Sequence, residues 1–230
     1  MMIDQIYSYR EMCDAENVQT LQRGMNFNFN PKYSLILMSR RSNAPYNDLI
    51  LDDGLTIEYE GHDQPKTSHT FNPKDEDQVR HTGKGKLTQN GLFIEAVNDF
   101  KKNKKYAEKV KVYEKIFSGV WSLKGFFDLV DYKTHFDSKR SVFIFILRLS
   151  EFNPENKNEI FDLKHTRLIP SEIKKQVWMR DKGKCVLCGE SKNLHFDHDL
   201  PFSKGGTSLL TSNIRLLCAK HNLAKSDRIE

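Results

Sequence analysis

Two short residue pairs in the last third of the chain carry its metal chemistry. Cys185-x-x-Cys188 sets two thiolates on a tight knuckle, and Cys218-x-x-His221 adds a thiolate and an imidazole from a second one. Together they make a Cys3His set, the sulfur-and-nitrogen donor mix that a tetrahedral structural Zn2+ prefers. Gly183 and Gly189 flank the first pair and supply the backbone freedom a knuckle needs. Reduced thiols without metal are the bland alternative, and two matched pairs at this spacing argue against it.

The segment between the knuckles is richer than a plain zinc ribbon requires. It holds His195, Asp197-His198, Pro201, Gly205-Gly206 and Asn213, with Asn222 and Lys225 after the second knuckle. Hydrolysis of a phosphodiester needs a base to activate water, a cation to neutralise the phosphorane, and help for the departing oxygen. Asp197-His198 puts a hard oxygen ligand beside a base. If Asn222 faces Asp197, the two can share one divalent ion. Mg2+ keeps several of its waters, so two protein ligands suffice. His195 shares a strand face with Asp197, and two readings stay open: an auxiliary cation or phosphate contact, or a surface histidine.

These residues need a hairpin and a helix to bring them together. Leu194 to Leu200 and Ile214 to Leu217 read as strands, Pro201 and Gly205-Gly206 as the turn between them, and Ala219 to Arg228 as a short helix. Upstream, Ser171 can cap a helix with Ile173 and Val177 on one face. A module this small has little core, so a structural metal would supply stability the apolar residues cannot.

The stretch from Pro170 to Ile229 resembles the HNH nuclease family, the ββα-metal fold. The likeness rests on Trp178-x-Arg180-Asp181, the first knuckle, Asp197-His198-x-x-Pro201, Gly205-Gly206, Asn213, and Cys218-x-x-His221-Asn222-x-x-Lys225. It implies that His198 is the general base, that Asp197 and Asn222 bind a catalytic Mg2+ or Mn2+, and that Asn213 orients the loop carrying the base. Many relatives end the second knuckle in cysteine where this chain has His221, which can still bind zinc. Arg180 and Lys204 are candidate contacts to the DNA backbone.

Residues 1–150 read as a strand-rich α+β domain, 151–169 as a linker, and 170–230 as the small zinc-stabilised unit. Expected strands are Leu35–Met38, Leu55–Tyr59, Val110–Ile116, Phe126–Tyr132 and Val142–Leu149, where β-branched and aromatic residues dominate. A polar stretch from Gly61 to Gly91 separates them, and Leu92, Ala96 and Phe100 recur at helical spacing over Gly91 to Lys101. A nuclease module alone contacts mostly phosphates and selects poorly, so selectivity is expected from this first domain.

Leu35 to Ser39, Tyr46-Asn47-Asp48, Gly54, Ile57 to Asp63, Asn90-Gly91, Val110 to Tyr113, Gly125 to Val130 and Val142 to Leu149 follow one another along this domain. In these segments the chain is similar to the SRA domain, which holds a flipped modified cytosine. The similarity implies an SRA-like barrel or sheet with a base pocket. A flipped base needs aromatic faces to replace its lost stacking and polar groups to read its edge. Tyr46 and Tyr59 could sandwich the ring, and Asp48 or Glu60 could accept the exocyclic amino hydrogen of cytosine. Arg40, Arg41, Lys101 and Lys102 could meet phosphates. Half-buried sheet tyrosines and a turn aspartate are the structural alternative.

Composition is permissive. The net charge of +5 allows a polyanionic partner without proving one. Seven lysines against two glutamates between Lys101 and Lys115 concentrate positive charge, although such runs are usually solvated faces. No apolar run is long enough to span a bilayer. The first ten residues lack a signal pattern, and clustered cysteines suit a reducing compartment, so a cytoplasmic location is expected. The leading expectation is a restriction endonuclease that depends on 5-methylcytosine or 5-hydroxymethylcytosine in double-stranded DNA. The alternatives are an HNH enzyme for an unmodified sequence and a non-catalytic zinc-containing DNA reader. One such site cuts one strand at a time, so a double-strand break needs either a homodimer or two encounters, and both readings stay open.

Overall fold

The computed structural model describes residues 3–66, 72–155, 168–201 and 204–225. In chain order the elements are β1 (Ile6–Ser8), α1 (Tyr9–Ala15), β2 (Met25–Asn30), β3 (Tyr33–Met38), β4 (Leu49–Ile50), β5 (Thr56–Glu60) and α2 (Gln89–Lys101). They continue with β6 (Glu108–Phe117), β7 (Val120–Phe136), β8 (Ser141–Leu149), α3 (Ser171–Arg180), β9 (Leu194–His198), β10 (Ile214–Cys218) and α4 (Ala219–Lys225). The protein is α+β and strand-rich.

The large sheet runs β2-β3-β6-β7-β8-β5-β4, with β1 on a second stretch of β7. All pairings are antiparallel except β3 with β6. The path ends at β2 and β4, which do not pair with each other among the described residues, so the hydrogen-bonded sheet is open rather than a closed barrel. Tight turns set the long central hairpins. Ser118-Gly119 joins β6 to β7 with Gly119 at φ +75°, and the Asp137 carboxylate accepts from the amides of Lys139 and Arg140 before β8. Gly125, at φ +112°, sits at the register shift in β7, where Lys124 is the extra residue, and a Cβ there would lie 3.1 Å from Ile3. The N-terminal segment therefore crosses β7 where a side chain is missing.

Helix α2 starts two residues before the expected Gly91, because the Thr88 side chain accepts from the Gly91 amide and caps it. Its Phe93, Ile94 and Val97 close one face of the sheet against Ile36, Ile57, Val110, Phe127, Phe145 and Leu147. Helix α1, held by a Ser8–Glu11 capping box, covers the other face with Met12 and Cys13 against Tyr33, Tyr113 and Phe126.

The second unit packs α3, the β9–β10 hairpin and α4 around Val177, Leu194, Phe196, Ile214, Leu216 and Leu217. Pro170, not Ser171, occupies the cap position of α3; Ser171 is the first helical residue and is buried. The segment expected as a linker is docked at both ends. Asn153, Leu168 and Ile169 are buried, and Glu155 pairs with Lys111 and Tyr33. Residues 156–167 lie outside the described residues. No described helix is long and apolar enough to cross a membrane.

Candidate functional site

The zinc-type ligands converge as their spacing implies. The donor atoms of Cys185, Cys188, Cys218 and His221 all lie within 4.8 Å of one another. Cys188 Sγ is 3.9 Å from Cys218 Sγ, and His221 Nδ1 is 3.4 Å from Cys185 Sγ and 3.3 Å from Cys218 Sγ. A tetrahedral ion with bonds of about 2.3 Å to sulfur and about 2.0 Å to nitrogen puts its donors roughly 3.5–3.8 Å apart. The cluster fits Zn2+. Burial disfavours the Cys185 thiolate, but the amides of Cys218, Leu187 and Cys188 and the His221 ring outweigh it, bringing the pKa down to about 6.

Strand β9 leaves the cluster at Leu194, opposite Cys218, and ends in Asp197-His198. His198 Nε2 lies 2.8 Å from Ser208 Oγ, which fixes the ring; in the tautomer whose Nε2–H donates to the hydroxyl, Nδ1 is the proton-accepting nitrogen. Burial lowers the His198 pKa and holds the imidazole neutral. Asn213 fastens the loop after β9: its Oδ1 accepts from the Leu200 amide at 2.8 Å, and its Nδ2 donates to Leu200 O and Thr207 O. Gly206 packs so tightly on the Leu200 carbonyl that a Cβ would overlap it at 1.8 Å. The loop over His198 is thus closed by side chains and by one obligatory glycine.

Helix α4 crosses β9 and β10. Its last residue, Lys225, is buried and reaches Asp197 Oδ2 at 2.5 Å, and it also donates to the His198 carbonyl. Asn222 precedes Lys225 by three residues and so shares its helix face. A cation lined by a carboxylate and a carbonyl oxygen already sits at this corner, in the form of an ammonium. The Asp197 carboxylate therefore already has a cationic partner in Lys225.

The structure also places the remaining candidate contacts. His195 is only 2% exposed, beside Gln5 of the N-terminal segment, so it is not a surface histidine. Arg180 bonds the Asp181 carboxylate and the carbonyls of Thr211 and Ile214, which makes it a clamp between α3 and β10 instead of a free phosphate contact. Lys101 and Lys102 end α2, on the order of 18 Å from its first turn. Lys101 is ion-paired with Asp131 there. Lys204 is exposed on the loop after β9.

A pocket of about 640 Å3 opens in the large sheet, lined by Arg23, Met38, Arg41, Tyr46, Asp48, Tyr59, His62 and Trp121 among others. The ring parallel to Tyr46 is His62, at 5.2 Å and 8°, rather than Tyr59. Tyr59 alternates inward on β5, is buried, and contacts the Gly24 carbonyl and His62 Nε2 with its hydroxyl. The Tyr46 ring also carries the Lys74 ammonium, 3.9 Å from its centroid. A base held between two rings needs roughly 7 Å, twice a contact distance, so Tyr46 and His62 must part to admit one. Tyr46 sits on the irregular segment between β3 and β4.

Asp48 accepts from the amides of Ser39 and Glu60, and burial pushes its pKa up to about 7 despite them. His62 is driven the other way by burial, to about 4. Glu60 is committed elsewhere, binding the Asn47 amide and the buried Arg140, so Asp48 is the carboxyl that faces the pocket. Arg41 lines the pocket, whereas Arg40 turns its carbonyl to Lys175. His62, Ser208 and the role of Lys225 were not legible in the sequence; only the spacing Asn222-x-x-Lys225 pointed at the last.

No family model matches this sequence, and no curated protein matches it. Among solved structures the chain is similar to the SRA domain of SUVH5 in complex with hemi-methylated CG DNA, at 18% identity and a TM-score of 0.44 over 65% of this chain and 88% of that one. It is similar to SUVH5 SRA bound to fully hydroxymethylated CG DNA, at 20% identity and 0.43 over 62% and 85%. Arabidopsis thaliana SUVH6 in complex with SAM matches at 17% and 0.46 over 76% and 29%. At these identities and scores the likeness assigns no function to this chain.

Proposed function

We propose that this protein is a modification-dependent DNA endonuclease: the large sheet holds a flipped 5-methylcytosine or 5-hydroxymethylcytosine, and the hairpin-and-helix unit hydrolyses a phosphodiester bond. The observation that carries the reading is the corner where His198, fixed by Ser208 under a loop tied by Asn213, adjoins Asp197 and α4 beside a Cys3His cluster.

In this reading His198 Nδ1 accepts a proton from water as the water oxygen attacks phosphorus. The P–O bond to the leaving oxygen then breaks, and that oxygen takes a proton from solvent. A divalent cation held by Asp197 and Asn222 supplies charge neutralisation on the phosphorane when bound. Lys225 holds Asp197 and the His198 backbone in register. In the pocket, Tyr46 offers a stacking face. Asp48 accepts the exocyclic amino hydrogen of cytosine, which thymine and uracil lack.

One observation favours a non-catalytic zinc-containing reader: the Asp197 carboxylate is already neutralised by Lys225. A single assay separates the readings. Methylated, hydroxymethylated and plain duplexes of one sequence are incubated with the protein and Mg2+ or Mn2+. Cutting confined to modified DNA is expected. Cutting of plain DNA alone leaves an enzyme for an unmodified sequence, and binding without cutting leaves the reader.

A further inference from the structure

The N-terminal segment is shared between the two units. On one side, β1 pairs with β7, with Ile6 opposite Ser122 and Tyr7 opposite Trp121. On the other, Gln5 bridges His195 of β9, and the Phe196 amide donates to the Asp4 carbonyl at 3.1 Å. Trp121 lines the sheet pocket, and His195 stands two residues before Asp197. One run of backbone hydrogen bonds thus leads from the pocket wall to the candidate hydrolytic corner.

A buried charge cluster fastens the same junction. Lys174 of α3 donates to Asp4 and, at 2.7 Å, to Ser122 Oγ of β7. Beside it, Lys124 of β7 reaches Glu114 Oε2 at 2.7 Å and the Ile169 carbonyl at 3.1 Å. Lys174, Lys124 and Glu114 are fully buried and Asp4 nearly so, giving two positive and two negative groups sealed from water. Separating the units would expose or unpair all four, which is costly for buried ions. Units joined only by a flexible linker need no such cluster, and relative motion is their ordinary state.

We propose that Asp4 and Lys174 determine where the enzyme cuts: they lock the two units into one body, so that hydrolysis falls at one fixed offset from the base held in the sheet. The inference rests on the reading given under Proposed function, and it adds the spacing of the two sites on DNA. Asp4 has φ +66°, a conformation that asparagine tolerates, so Asp4→Asn keeps the backbone. Pairing it with Lys174→Met removes both charges together and leaves neither uncompensated.

Two measurements test the lock. In the first, cut positions are mapped at nucleotide resolution on a duplex with a single 5-methylcytosine, for the wild type and for the D4N/K174M double variant. In the second, an electron-spin distance is measured between labels on unnatural side chains at exposed positions Tyr106 and Lys220, in the zinc-loaded protein with both units present. One cut offset and one narrow distance are expected for the wild type. The double variant, with zinc retained, should cut over a spread of phosphates and give a broadened distance. A ladder of wild-type cuts, a broad wild-type distance, or a double variant identical to wild type in both readouts overturns the proposal. A narrow distance that broadens in the variant, with no cutting by either protein, upholds the lock and removes the nuclease reading instead.

Discussion

Lys225 places its buried ammonium 2.5 Å from the Asp197 carboxylate, tying the end of α4 to the end of β9. Removing the ammonium leaves a partly buried carboxylate and the His198 carbonyl without their donor. Lys225→Met is therefore expected to destabilise the small unit by about 3 kcal/mol, the lower end of the cost of breaking a buried pair. Thermal melting checks it. A melting curve superimposable on the wild type would mean the contact does not hold the corner.

The four donors of the knuckle cluster close the open end of the β9–β10 hairpin, where Leu194 lies opposite Cys218. Cys185→Ser should lower zinc content and unfold residues around β9, β10 and α4, with the large sheet intact. Metal analysis with hydrogen exchange reads both effects. Full zinc content together with unchanged protection would refute the assignment.

His198→Ala should retain zinc and fold while single-turnover cleavage drops about 10²–10⁴-fold, the range for loss of a general base. Ser208→Ala, which frees the ring without removing it, should lose less, about 10-fold. Undiminished cutting by the alanine variant at 198 would exclude it as the base.

Asp48 and His62 face one pocket with pKa values moved in opposite directions, to about 7 and about 4. The folded His62 binds its proton less readily than the unfolded chain does. Its contribution to stability is present above pH 6.5 and lost as pH falls toward 4. Folded Asp48 keeps its proton longer, so its contribution is present below pH 3.8 and lost as pH rises toward 7. Each slope is about 1.4 kcal/mol per pH unit, and across pH 4–6.5 they cancel. The contribution of this pair in the wild type should therefore be nearly flat over that window. His62→Gln leaves the Asp48 slope alone: relative to the wild type, the variant should gain stability as pH is lowered from 6.5 toward 4. Denaturant titrations of both proteins at several pH values decide it, and a difference that does not change with pH would contradict the opposed shifts.

Tyr46→Ala removes a pocket ring carried on the irregular segment between β3 and β4. Affinity for a duplex with 5-methylcytosine should fall by about 1–3 kcal/mol, the worth of one stacked base. Binding to the unmodified duplex, which is carried by phosphate contacts, should not change. Equal losses on both duplexes would show that the ring does not hold a flipped base.

The sequence by itself determined the metal cluster: Cys-x-x-Cys and Cys-x-x-His can meet only if each pair folds on a knuckle, so local spacing constrains the geometry. The part played by Asn213 was implied only by the resemblance, and its bonds to Leu200 and Thr207 hold the loop after β9. The sequence also determined the central strands and α2, because β-branched runs and helical periodicity are local signals. Tertiary structure alone decided the rest. The choice of His62 over Tyr59 as the partner of Tyr46 depends on which face of β5 turns into the core. The burial of His195, and the pairing of Asp4 with Lys174 across 170 residues, depend on a three-residue strand wedged between two units. Contacts between segments that far apart leave no periodicity in the chain: each residue's partner is set by packing, and a single aspartate or lysine looks the same in sequence whether it is solvated or sealed inside.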